Sequence, residues 1–342
     1  MYVKRQIVLK HLFHDSWRLL LIVAIWSVFV VYLHEFAGLS VITIPLAPVT
    51  TIGIAVSLYL GFKSTSAYNR WWEARKVWGE IVSASRLWAS HSNNLLYNPN
   101  KNLDPAIPRE LVARHLAWVN ALAHQLRSTT RLKDSQFTRI FDHRLKNKNV
   151  DHHQTANSYK QFLSPDEVDE MSSYSTPATQ ILIKQGFRVR ELFADGFLDS
   201  DRVVLMTTVL GKLHDAQSNS ERIKTTPFPR QVANFGELFT WIFIFMLPLA
   251  FIESFEVETT VHNFSDILAH QYMFTLVPFT MLIAWVFFIM EKISDSTEDP
   301  FEGGVTDVAI SSLCRTIEID LKEMIKATDI PEEFRAVDGV LY

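Results

Sequence analysis

A stretch without a single charged side chain, Val41 to Phe62, limits this chain more than any other feature. A helix over it is long enough to cross roughly 30 Å of hydrocarbon. Inside a bilayer the backbone has no water to bond to, so a lone spanning segment there must be helical. Three further runs share its composition. Trp17 to Leu33 has Arg18 as its only charge, Phe239 to Ile252 is shorter and contains Pro248, and Tyr272 to Met290 is again uncharged. The third run is expected to be a span; its length and Pro248 would fit a bent or re-entrant element unless it draws on residues from Ala233 onward. Between the first two runs, His34 to Ser40 is short and contains Gly38, which predicts an antiparallel hairpin. Pro45 and Pro48 fall early in the second run, where a missing N–H costs least. Tyr272 and Trp285 are expected as interfacial anchors of the fourth.

Charges set the orientation of these spans. Lys4, Arg5, Lys10 and Arg18 cluster at the start of the chain, and Lys63, Arg70, Arg75 and Lys76 follow the second run. The segment Glu253 to Gln271 carries Glu253, Glu256, Glu258 and Asp266 without a lysine or arginine. Basic residues favour the cytoplasmic side, so both termini are expected inside a cell membrane crossed several times, with that acidic loop outside. A cleaved secretory leader fits less well, because no small-residue cleavage site follows the first run and a second span comes at once.

Apolar residues make up 48% of the chain and charged residues 20%, with a mean hydropathy of +0.07, as expected of a protein partly in lipid and partly in water. A net charge of −4 offers no basic stripe for phosphates, so nucleic acid is not an expected partner. Cys314 is the lone cysteine and makes no internal disulfide; it is expected to be an ordinary buried small residue.

Between Lys63 and Gly236 the chain is rich in charge and shows amphipathic stretches at Trp71–Tyr97, Arg109–Arg131, Thr179–Phe193 and Asp201–Arg222, which predict a helical bundle. Ser164, Pro165 and Glu167 have the spacing of a helix start, with Ser164 as N-cap and Glu167 reaching back. Phe141 to Ser158 is polar and predicts a mobile loop. The division that follows is 1–62, an N-terminal segment and first transmembrane hairpin; 63–232, a cytosolic helical domain; 233–290, a second hairpin; and 291–342, a C-terminal helical segment. No Gly-x-Ser-x-Gly elbow, phosphate-cradling loop, His-Glu-x-x-His or paired cysteine site is present, so an enzyme is not expected. His152 and His153 are adjacent, and no helically spaced partner completes a metal site with them.

The second run continues without a break into Gly61, Phe62, Lys63, Ser64, Thr65, Ser66, Ala67, Tyr68, Asn69, Arg70, Trp71, Trp72, Glu73, Ala74 and Arg75. This passage resembles the bestrophin family, where a span ending in Leu-Gly-Phe leads to Arg-Trp-Trp and then an acid and a base. Ser220 to Pro229 before the third run, Glu298 to Phe301 after the fourth, and Ile317 to Leu321 extend the resemblance to about residue 325. It implies an all-α fold: a four-span transmembrane helical protein with a large cytosolic helical domain, assembled as a homopentamer around one axial pore.

Ile54, Leu58 and Phe62 recur at i, i+4 and i+8 and form one apolar stripe. Matched to the family motif, they resemble its three-ring hydrophobic neck, a constriction that gates by dewetting. Read without the family, the same stripe would face lipid or the bundle interior. Gly53, Ser57 and Gly61 repeat beside it as a small-residue ribbon that lets membrane helices approach closely. The family's second, cytosolic restriction has Val203, Val204 and Leu205 as its nearest matches, with a plain core role as the alternative. Asp299 and Asp307 match the family's calcium clasp best. Gly303 and Gly304 interrupt the acidic run, so a solvated linker is the preferred reading and no cofactor, calcium included, is expected. Arg70, Glu73 and Arg75 are expected to be an ion-paired helix flank more than an ion path.

The implied function is passive conduction of monovalent inorganic ions through a hydrophobic neck in the lipid bilayer, with chloride and other anions favoured. A sodium-selective channel of the same family and a membrane scaffold docking a cytosolic protein partner are the alternatives.

Overall fold

A computed structural model describes residues 1, 3, 9–128, 158–226, 228–304, 306–336 and 339–341. The polar loop read from residue 141 onward, apart from Ser158, lies outside the described residues, as do His152 and His153. Among the described residues the regular elements are helices: α1 Leu9–Glu35, α2 Leu46–Asn94, α3 Ala106–Ser128, α4 Pro165–Ser172, α5 Pro177–Ala194, α6 Ser200–Thr225, α7 Arg230–Val261, α8 Asp266–Met273, α9 Leu276–Thr297 and α10 Ile310–Met324. Short 3-10 turns occupy Ser40–Ile42 and Lys160–Phe162.

Four helices are long and apolar enough to cross a membrane, over Ser16–Glu35, Leu46–Asn94, Gln231–Val261 and Asp266–Thr297. They pack through three small apolar clusters. Val49, Val56 and Leu60 of α2 meet Phe243, Leu247 and Ala250 of α7. Leu19 and Val23 of α1 meet Ile244 of α7 and Ala284 and Phe288 of α9. Val30 and Val31 of α1 close the far end against Ile252, Met273 and Leu276.

Helix α2 has 49 residues and is therefore about 74 Å long, more than twice the thickness of the hydrocarbon layer. Its first part belongs to the membrane bundle and its last part to a second, larger core. There Trp78, Ile81 and Trp88 are buried against Leu111, Trp118 and Leu122 of α3, Ile181 of α5, Leu213 of α6 and Ile317 of α10. Several polar groups inside this core are paired: Trp118 Nε1 donates to Gln217 Oε1 at 2.9 Å, Gln217 Nε2 to Thr179 Oγ1 at 2.7 Å, and Gln185 Nε2 to the Leu111 carbonyl at 2.8 Å. Cys314 is buried there as an inert small side chain, its thiol pushed up to about 12 by burial.

The start of α4 follows the sequence. Ser164 Oγ accepts from the Glu167 N–H at 3.4 Å, and Glu167 Oε2 accepts from the Ser164 N–H at 3.3 Å, with Pro165 at the first helical position. Each side chain satisfies a backbone donor the other leaves open. Ser164→Ala is expected to lower stability by about 1 kcal/mol; an unchanged thermal midpoint would show that the box contributes nothing.

Elsewhere the structure corrects the sequence reading. The second run becomes helical only at Leu46, because Pro45 sits at the N-cap position and Pro48 falls in the first turn, where a helix tolerates it. The boundary drawn after residue 62 falls inside α2. The third run is a membrane-length helix, as expected, and longer than the run itself: Phe239 to Ile252 is the middle of α7, which runs from Arg230 through Pro248 to Val261. A proline inside a membrane helix needs outside partners for the backbone it disturbs. Next to Pro248 the Phe245 carbonyl accepts from Trp26 Nε1 at 3.0 Å and the Leu249 carbonyl from the Ile44 N–H at 3.2 Å. The acidic loop from Glu253 shrinks to residues 262–265, since α7 extends to Val261 and α8 starts at Asp266. Trp285 Nε1 donates to Ser16 Oγ at 2.9 Å and ties α9 to α1, a contact the sequence reading did not foresee.

Candidate functional site

Two faces of α2 divide the work. Val49, Gly53, Val56, Leu60, Lys63 and Ala67 are buried and form the face toward α7 and α9. Ile54, Leu58 and Phe62 lie on the opposite edge and are 66%, 61% and 66% exposed. The structure thus brings the three residues of the apolar stripe together on one edge.

That edge differs in chemistry from the outer faces of the other long helices. α1 exposes Leu21, Ile25, Phe29 and Tyr32; α7 exposes Leu238, Ile242 and Phe245; α9 exposes Phe279, Leu282, Val286 and Ile293. These are bulky apolar surfaces suited to lipid tails. Along α2 the exposed apolar residues are interleaved with Thr51, Ala55, Ser57, Thr65 and Ser66. Hydroxyls on this face bond back to their own helix, Thr51 to the Ala47 carbonyl at 3.0 Å, Ser57 to Gly53 at 2.8 Å and Thr65 to Gly61 at 2.9 Å. Small and self-satisfied polar residues are what membrane helices place against protein or water rather than against hydrocarbon.

The small-residue ribbon does not act as one unit within the chain. A Cβ on Gly53 would stand 2.7 Å from the Phe243 ring, so Gly53 lets α7 close onto α2. Ser57 is exposed, and among the described residues nothing lies within 4 Å of a Cβ on Gly61. Gly53→Ala is expected to push Phe243 aside and lower stability by about 1–3 kcal/mol, as overpacking does; an unaltered melting temperature would contradict the close approach.

Of the residues matched to the second restriction, Val203 packs against the core of the helical domain, whereas Val204 and Leu205 are exposed on the first turns of α6. The helix start is fixed by Asp199, whose Oδ1 accepts from the Arg202 N–H at 2.9 Å. The flank after the stripe is ion-paired. Arg70 donates to the Ile223 carbonyl and faces Asp299 at 3.7 Å, and Arg222 reaches Glu73 at 2.6 Å.

Beyond α9 the acidic residues have separate partners. Asp307 is buried and accepts from the Gly304 N–H at 2.8 Å; burial still pushes its carboxyl up to about 6. Lys224 pairs with Glu302 at 2.5 Å. Glu298 is buried, and desolvation together with the nearby Asp295 carboxylate pushes it up to about 8. Among the described residues no group of three or more His, Cys, Asp or Glu side chains is placed to hold a metal ion.

Sequence reading missed a buried ion pair directly behind the stripe. Lys63, next to Phe62 but 1% exposed, donates to Glu291 Oε1 at 2.7 Å. The signal was present: Lys63 is the first charge after the uncharged second run and Glu291 the first after the fourth. Both runs leave the bilayer at the same end.

A bundle of membrane-length helices, continued by one of them into a large helical domain, defines an all-helical integral membrane protein. The sequence model described as Bacterial/Fungal Bestrophin protein matches residues 5–323, and the chain belongs to the bestrophin family. It is 26% identical over 302 residues to a voltage-dependent anion channel-forming protein of Mesorhizobium japonicum, covering 88% of this chain and 82% of the relative. It is 27% identical over 314 residues to the voltage-dependent anion channel-forming protein YneE of Escherichia coli, covering 91% and 87%. In fold it resembles the crystal structure of a bacterial bestrophin homolog from Klebsiella pneumoniae, with a TM-score of 0.73 at 23% identity over 90% of this chain and 97% of the other.

Proposed function

We propose that the chain assembles as a homopentamer and conducts monovalent anions, chloride foremost, passively across a cell membrane. Its neck is formed by Ile54, Leu58 and Phe62 from each copy of α2. The observation that carries this reading is the exposed apolar edge of α2 with its interleaved hydroxyls. Around a common axis five such edges make three apolar rings, and an apolar constriction opens and closes by wetting and dewetting. The bestrophin membership and the relatives named as anion channel-forming support conduction and its sign.

The basic residues near the start of the chain and after Phe62 support a cytoplasmic location for the helical domain and both termini. Val204 and Leu205 are the exposed residues from which a second restriction in that domain is built. Conduction needs no cofactor and no calcium, since Asp299 faces Arg70 and Asp307 holds its own loop. Chelation of calcium should therefore leave the current unchanged; a current that vanished and returned with added calcium would overturn this point.

Purified protein in a planar bilayer under a sodium chloride gradient tests the main reading. The reversal potential is expected near the chloride equilibrium potential, and crosslinking is expected to stop at five subunits. A reversal potential at the sodium value would transfer the reading to cations, and a monomer without current would end it.

A further inference from the structure

Lys63 is the most buried charge on the membrane-side part of α2, and it follows the last residue of the exposed edge directly. Consecutive helical residues point about 100° apart, so the side chain at 63 turns inward where that at 62 turns out. Its ammonium meets Glu291 Oε1 at 2.7 Å and the Ala233 carbonyl at 3.5 Å, binding α2 to α9 and α7 together. Asp295 adds its charge on the same side. One turn earlier, Tyr59 donates from its hydroxyl to the Val232 carbonyl at 2.7 Å. Gly236 makes the approach possible: a Cβ there would stand 3.1 Å from the Tyr59 ring and 3.4 Å from Lys63 Cδ.

We infer that Lys63 is a positioning residue, a charged strut that fixes the rotation of α2 and so holds Ile54, Leu58 and Phe62 on the pore axis. The inference rests on the neck reading above. Rotating α2 to carry its apolar edge away from the axis would pull the ammonium from Glu291 into apolar surroundings, where an unpaired charge is costly. Apolar contacts tolerate such sliding; a short ion pair in a dry site does not. Methionine at 63 would keep the stem and its packing and lose the strut.

The test uses the full-length chain carrying Leu58→Cys, whose native cysteine, Cys314, is buried. A water-soluble thiol reagent reports the wetting of the neck. Lys63→Met and Glu291→Gln are each expected to raise the labelling rate at position 58 by about tenfold, a shift of the population toward a wetted neck. Lys63→Arg, which keeps the pair, should label as the parent does. Elution of each variant as the parent oligomer is checked in the same preparation; if Lys63→Met does not assemble, Glu291→Gln, nearly isosteric, decides. A measurable labelling rate that is the same in the parent and in an assembled variant would overturn the strut while leaving the neck in place. A Leu58→Cys thiol that resists the reagent in the parent and in both variants would overturn the neck reading and the strut with it.

Discussion

Replacing Ile54, Leu58 and Phe62 together by alanine is expected to raise the single-channel conductance by about tenfold or more, the equivalent of removing ~1.4 kcal/mol from a barrier. All three side chains project from the protomer instead of packing into it, so their removal leaves no cavity in the membrane clusters around Val56, Leu60 and Phe243. The variant should therefore keep its fold and assembly. What changes is the bore of the constriction: alanine is shorter, and a wider apolar ring wets more readily. Since no charge is added or taken away, the reversal potential should stay where it is. Single-channel recording separates the two quantities. A conductance equal to that of the parent would remove these residues from the ion path and return them to a lipid-facing role.

The second large effect concerns acid. His115 on α3 is fully buried, between Trp88 at 6.4 Å and Trp118 at 5.2 Å between ring centroids, and among the described residues neither ring nitrogen has a hydrogen-bond partner. Burial of this uncompensated ring lowers its pKa from 6.5 to about 3. In the unfolded chain the same ring titrates normally. Between those two values the unfolded state holds a proton that the folded state does not, so stability rises with pH there. The stability is complete above the unfolded value and is lost as pH falls toward the folded one. The loss reaches about 2 kcal/mol at pH 5 and about 4 kcal/mol at pH 3. His115→Leu removes the titration, so its thermal midpoint should fall less steeply on acidification than that of the parent. Carboxylates titrate in both proteins and cancel in the comparison. Parallel pH profiles would mean that His115 takes up its proton in the folded state.

Much of the membrane part was legible because lipid imposes its own grammar. The uncharged run ending at Phe62, the short turn after Leu33 and the apolar stripe of Ile54, Leu58 and Phe62 can all be read without coordinates. The Ser164 box was equally local, needing only residues three apart. What escaped was the outcome of competition between distant groups. Trp285 has the composition of an interfacial anchor, yet Ser16 on another helix claims its indole N–H. Pro248 argues for a break, yet α7 continues through it, with Trp26 and Ile44 donating to the carbonyls around it. The small-residue ribbon looked uniform, yet Gly53 is spent on Phe243 of the same chain. The Lys63–Glu291 pair needed the knowledge that the second and fourth spans end side by side, which no spacing rule supplies.

Because α2 is one helix from Leu46 to Asn94, the stretch that carries Phe62 and the stretch that carries Trp88 belong to a single rod, separated by roughly 40 Å at 1.5 Å per residue. Such a rod has no joint at which motion is absorbed. A pivot of about 5° over its whole length carries one end some 6 Å sideways relative to the other, from the rise per residue alone. Anything that tilts the tryptophan-lined core of the larger helical domain therefore moves the stretch that carries Phe62 directly, as a lever does, with no relay of side chains in between.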